Sequence, residues 1–234
     1  MVDSWTTAPT VETVRSRASE ILERLDSAAH GRSVTLVAVT KGFGVEVART
    51  AISAGLCDLG ENYAQELQAK QTIIADGVDG GDPSEAAKTV RWHFIGGLQR
   101  NKIKRIAPSV HLWHTMDRSA LLDEVAKRSP GAAVLIQVNT TSEPQKSGCK
   151  PDDALRLVDH GRQNGLSVIG LMTVGPTEPT ADPRPSFEML RQLGQTCEVT
   201  ELSMGMSGDF EMAAACGATI VRVGSALFGR RPTI

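Results

Sequence analysis

Residues 34–42, VTLVAVTKG, read as a β-strand that ends on a lysine. Val34, Thr35, Leu36, Val37, Val39 and Thr40 are β-branched or aliphatic, with Ala38 among them, and such residues pack well on a pleated surface. Side chains alternate across a strand, so Lys41 points to the same side as Thr35, Val37 and Val39. An ammonium group at the mouth of an apolar row has two readings. It can snorkel, with its methylenes on apolar surface and its charge in water. It can also be a desolvated amine of lowered pKa, able to attack a carbonyl and form a Schiff base.

The chain around this strand alternates. Short apolar runs lie near 34–40, 57–60, 90–95, 111–115, 133–139, 167–172, 200–203 and 219–223, and helix-like segments at 45–54, 62–74, 98–106, 118–128, 151–163, 184–196 and 207–216 separate them. Ahead of them, Thr10 to Ala29 reads as an amphipathic helix, since Val11, Val14, Ala18, Ile21, Leu22 and Leu25 recur at three- and four-residue steps. Strands that alternate with helices make parallel βαβ units, and eight of them in this length predict an α/β fold, a closed (β/α)8 barrel with an extra N-terminal helix. A doubly wound open sheet is the alternative. The expected domain is one unit over 1–234, with its helix at about 10–29 and its barrel at about 34–230. DGVDGGDPSEAAK (76–88) and GPTEPTADPRP (175–185) read as polar surface loops.

With 22% charged residues and a net charge of −2, the 234-residue chain has no global field to favour nucleic acid or an anionic membrane. Its longest apolar runs are strand-length, far short of a membrane span. Cys57, Cys149, Cys197 and Cys216 form no CxxC pair and the N-terminus lacks an apolar secretory core, so a reduced, cytoplasmic protein is expected. Cys149, in the polar stretch SEPQKSGCKPDD, is the thiol expected to be exposed.

In such a barrel, chemistry belongs at the C-terminal strand ends. The polar residues there are Lys41, Glu61, Asn62, Gln99, Asn101, Asn139, Thr173, Ser207 and the stretch RVGSALFG (222–229). Gly224 lets backbone N–H groups approach an anion and Ser225 adds a hydroxyl donor. Ser207, in SMGMSGDFEMA (203–213), is a donor on the adjacent strand end, with Asp209 placed to cap the following helix. Two ordinary Gly/Ser turns would read the same way; taken together on neighbouring strands they form one phosphate cradle. The spacing in HLWH (111–114) sends His111 and His114 to opposite strand faces, which argues against a metal site. QRNKIKR (99–105) is a basic helix opening whose charges a solvated face explains.

A phosphorylated aldehyde would satisfy cradle and lysine at once, and pyridoxal 5′-phosphate (PLP) is such a cofactor. LVAVTKG, LGENYAQEL, WHFIGGLQRNK, MSGDFEMA and VRVGSALFG, in this order from about residue 34 to residue 230, resemble the pyridoxal phosphate homeostasis protein family, the PROSC-like relatives of the alanine racemase barrel. The resemblance implies a Schiff-base lysine at Lys41 and phosphate contacts at Ser207, Gly224 and Ser225. It also places Arg222 at the pyridine nitrogen and Asn62, of the GEN motif, near the cofactor ring. Gly97, Arg100 and the KGFG turn depart from the family's usual residues at the outer rim.

A guanidinium donates hydrogen bonds and stays charged, so Arg222 would favour an unprotonated ring nitrogen and a weak electron sink. Its alternative is pairing with a barrel carboxylate. Racemases of this type take a tyrosine base from a C-terminal β-domain, whereas the chain stops five residues after Gly229 and Tyr63 is its one tyrosine. The expectation is therefore a PLP carrier without a catalytic residue of its own, monomeric, that buffers PLP and passes it to apo-enzymes. A PLP-dependent racemase or decarboxylase is the runner-up, and a cofactor-free barrel enzyme for a sugar phosphate the third reading.

Overall fold

Eight short strands, each followed by a helix, close on one another in the computed structural model, which describes residues 8–75, 88–178 and 180–231. The surface loop expected over 76–88 falls, but for Lys88, outside these residues. In chain order the elements are α1 (Val11–Ala29), β1 (Thr35–Val39), α2 (Val45–Ser53), β2 (Asp58–Glu61), α3 (Ala64–Ala75), β3 (Arg91–Phe94), α4 (Arg100–Ile106), β4 (Val110–Met116) and α5 (Ser119–Arg128). They continue with β5 (Ala133–Gln137), α6 (Ala154–Gln163), β6 (Ser167–Met172), α7 (Arg184–Thr196), β7 (Glu201–Ser203), α8 (Phe210–Ala215), β8 (Ile220–Val223) and α9 (Ser225–Phe228).

All strand pairs are parallel, and β1 pairs with β8 at Thr35–Ile220, Leu36–Val221, Val37–Arg222 and Ala38–Val223. That last pairing closes the barrel and removes the open sheet from consideration. It also sets Val37, two side-chain steps below Lys41, beside Arg222. Two short strands, DLGE and ELS, carry little signal alone and are held by neighbours on both sides.

Inside the barrel, Val37, Leu112, Leu135, Met172 and Ile220 form one apolar cluster. The larger core lies between strands and helices, where Phe94, Trp113, Ile103, Ile106, Leu121, Leu122 and Phe187 are fully buried. α1 starts at Thr10, whose hydroxyl accepts from the Thr13 N–H at 3.2 Å, and ends at His30 in the left-handed region. It buries Val14, Ala18, Ile21, Leu25 and Ala29 against α2, α8 and α9, across the seam where β1 meets β8. Leu22, expected on that buried stripe, is instead exposed.

Cys149 corrects another expectation. The stretch after β5 folds back, so that the Cys149 N–H donates to the Gln137 carbonyl and its own carbonyl accepts from the Asn139 N–H, both at 2.9 Å. The thiol is buried, and burial pushes it up to about 12. Native protein treated with iodoacetamide in mild alkali should therefore leave Cys149 unmodified until denaturant is added, as peptide mapping would show.

Candidate functional site

All six candidate residues, Lys41, Asn62, Ser207, Arg222, Gly224 and Ser225, line one cavity of about 350 Å³ at the C-terminal mouth of the barrel. Lys41 reaches it because β1 keeps its alternation past its last residue. Val37 lies in the barrel interior, Val39 and Lys41 face the cavity, and Thr40 turns the other way. Lys41 is half-buried and has no hydrogen-bond or ion-pair partner among the described residues. Burial, then the charges of Arg231 and Arg222, hold its ammonium below the ordinary lysine range, with Glu61 opposing them. Among the two readings of this lysine, that environment favours the reactive amine.

The backbone on either side of Lys41 is clamped from α3. Lys70, only 4% exposed, donates from Nζ to the Thr40 carbonyl at 2.8 Å and to Glu61 Oε1 at 2.6 Å. The Thr40 hydroxyl donates to the same carboxylate oxygen at 2.6 Å. Beyond the lysine, the Gly42 N–H donates to Glu66 Oε2 at 2.8 Å, with Gly42 at φ 71°, where a side chain would be strained. Glu61 is thus a support beneath the strand exit and does not line the cavity.

Opposite the lysine, the Gly224 and Ala226 N–H groups both point at Ser207 Oγ, each at 3.3 Å. A Cβ on Gly224 would stand 3.2 Å from the Val39 carbonyl, so a residue there would crowd β1. Two converging amides and a hydroxyl between them are a donor set that fits a phosphate group. Asp209 does not cap α8 with its side chain; its Oδ1 accepts from the Met206 N–H at 2.6 Å and closes the Ser207 turn instead.

Arg222 is 5% exposed and lines the cavity from β8. It donates to Ser203 Oγ at 2.6 Å and to the Thr173 carbonyl at 2.8 Å, with no carboxylate bonded to it among the described residues. Burial lowers it to about 10, partly offset by Asp209, and it stays cationic at neutral pH. The alternative of a carboxylate pair is therefore set aside. Asn62 has a buried side-chain oxygen with no partner, which an incoming donor could use.

Asn62 is held by a close backbone approach. A Cβ at Gly96 would fall 2.1 Å from the Asn62 carbonyl oxygen and 2.5 Å from its Cα. Gly96→Ala should push the Asn62 loop aside and cost about 1–3 kcal/mol, read as a lowered thermal midpoint. Gln99 and Asn101 are exposed and line neither this cavity nor its neighbour. Asn139 lines an adjoining cavity of about 200 Å³, with its side chain spent on the Glu143 carbonyl and Thr141. Phe43 of the KGFG turn, Met206 of SMGMSGDFEMA and Arg231, which belongs to no motif, also line the main cavity.

The alanine racemase N-terminal domain model matches residues 17–232. The pyridoxal phosphate homeostasis protein of Aquifex aeolicus is 38% identical over 232 residues, covering 92% of this chain and 97% of the relative. That of Pseudomonas aeruginosa is 36% identical over 234 residues, covering 94% and 97%. Among solved structures, PipY of Synechococcus elongatus with PLP bound superposes with a TM-score of 0.75 at 30% identity, covering 92% of this chain and all of that one.

Proposed function

Since the chain belongs to the pyridoxal phosphate homeostasis proteins, within the alanine racemase N-terminal domain family, we propose that it holds PLP as a covalent imine on Lys41. PLP supplies an aldehyde that an amine can capture and a phosphate that amide donors can hold. Its phosphate would take the Ser207, Gly224 and Ser225 turns, Arg222 would face the ring nitrogen, and Asn62 would stand near the ring. The observation that carries this reading is one cavity that holds both an unpaired, half-buried amine and a two-amide anion cradle. Its volume of about 350 Å³ lies within the range of small-molecule sites.

The job is reversible holding rather than turnover. Arg222 donates to whatever faces it and supplies no proton acceptor, so it leaves a bound ring nitrogen unprotonated. Racemisation needs a proton acceptor on each face of the substrate. Among the described residues lining the cavity, Lys41 is the one amine, and no carboxylate, imidazole, phenol or thiol stands with it to serve as a second acceptor. Buffering the aldehyde and delivering it to apo-enzymes, as a monomer in the cytoplasm, uses what this site has. No helix among the described residues is long and apolar enough to cross a membrane.

The test is direct. Protein incubated with PLP should gain a visible absorbance band, borohydride should fix the adduct, and peptide mapping should place it on Lys41. Attachment at another lysine, or none, overturns the reading; rapid turnover across a panel of amino acids overturns the carrier role.

A further inference from the structure

Beneath the cavity, a file of polar side chains crosses the barrel interior from β8 to β2. Arg222 donates to Ser203 Oγ at 2.6 Å, and Ser203 Oγ lies 2.9 Å from His114 Nδ1. His114 Nε2 lies 2.9 Å from His93 Nδ1, and His93 Nε2 lies 2.9 Å from Asp58 Oδ1. Ser203 and His114 are fully buried, and His93 is 3% exposed. At the far end, Arg91 pairs with Asp58 through both carboxylate oxygens and, with His93, holds that carboxyl well below the usual carboxylate range.

Both ends of the file have a fixed sense. A guanidinium can only donate and an ionised carboxylate can only accept. His93 must therefore donate from Nε2 to Asp58, and as a neutral ring it accepts at Nδ1 from His114 Nε2–H. His114 Nδ1 then accepts the Ser203 hydroxyl proton, and the Ser203 lone pairs are turned to Arg222. With both rings neutral every proton in the file has one position, and the 2.9 Å between the rings holds a single proton. Burial above all, with the Arg222 cation beside it, holds His114 well below the ordinary histidine range and keeps it neutral, as this order requires.

We propose that Ser203, His114 and His93 are positioning residues for Arg222, a one-directional hydrogen-bond relay that fixes the guanidinium and ties its charge to Asp58 across the barrel. The role assigned to Arg222 rests on the PLP reading above; the relay itself does not. A chain of aligned bonds in a low-dielectric interior polarises each member, so the carboxylate's influence reaches a cation with which it has no contact. The other groups facing the relay are Arg91 at Asp58, His111 at His93, and Asp209 and Lys41 near Arg222.

Two measurements decide it. In full-length protein without PLP, labelled with nitrogen-15 at its five histidines, ring-nitrogen NMR should show His93 and His114 as neutral Nε2–H tautomers through the neutral pH range. A protonated ring or an Nδ1–H tautomer at either residue overturns the relay, whatever the protein binds. With PLP, Ser203→Ala should weaken binding by about tenfold and displace the pH profile of the bound cofactor's absorbance, and Ser203→Thr should restore both. A Ser203→Ala profile that superposes on the native one overturns the positioning role; His93→Leu carries the same comparison should Ser203→Ala not fold. Protein that takes up no PLP but shows the expected tautomers sinks the role of Arg222 at the cofactor and leaves the relay standing.

Discussion

Lys41→Ala is expected to abolish borohydride-stable attachment of PLP and to weaken its binding by at least about a hundredfold, roughly 2.7 kcal/mol. The imine forms when the unprotonated amine attacks the aldehyde and water leaves, and no other lysine lines the cavity among the described residues. What survives in the variant is the donor set of Ser207, Gly224 and Arg222, so weak binding that inorganic phosphate displaces should remain. The same chemistry predicts a pH dependence. Only the neutral amine attacks, so the attachment rate should rise with pH and level off around the Lys41 pKa. Burial, Arg231 and Arg222 hold that value below the ordinary lysine range. Arg231→Ala, which removes the second of these causes, should therefore move the midpoint of the rate profile to higher pH. An adduct reducible onto a different lysine in Lys41→Ala, or a native midpoint at or above that of a free lysine amine, would sink the assignment.

Lys70→Met should be the most damaging change to stability. Glu61 is fully buried with Lys70 Nζ at 2.6 Å, and its second carboxylate oxygen has no partner. Removing one partner of a buried ion pair costs about 3–5 kcal/mol, because the other charge stays desolvated. For a chain of this size that lowers the thermal midpoint by roughly 6–20 °C. The effect should depend on pH with a definite sign. Burial raises the Glu61 carboxyl, and Lys70 and Thr40 pull against that rise. A carboxyl raised by folding binds its proton more tightly in the folded chain, so stability falls as pH climbs from the unfolded value through the raised one. Without Lys70 that window extends upward. The melting deficit should be smallest in mild acid, largest in mild alkali, and largely recovered by adding Glu61→Gln. A deficit that instead grows toward acid would contradict this account. Since Lys70 also holds the Thr40 carbonyl, slower PLP attachment should accompany the loss.

Much of this molecule could be read along the chain. The alternation of apolar runs with helical stretches places all eight strands within about three residues of their observed bounds, because strand and helix periods are local properties of a segment. The lysine at the exit of VTLVAVTKG and the Gly/Ser turns at Ser207 and Gly224–Ser225 are local too, since each follows from one strand's alternation or one turn's backbone. HLWH shows where such reading stops. Counted within its own strand, His114 has nothing within reach that suggests chemistry; its partners lie 21 residues away on β3 and 89 residues away on β7. Glu61 and Cys149 behave alike: the first is claimed by α3 and the second is buried by a segment that folds back on β5.

The chain's order of residues therefore determined the barrel, the lysine at its mouth and the Gly/Ser turns opposite it, all of which depend on neighbours a few positions apart. Which buried polar groups face one another was decided by strand register and by closure of β1 onto β8. Those relations exist only once the ring of strands is complete, because each strand's inward side chains meet partners chosen by its neighbours' offset rather than by its own sequence.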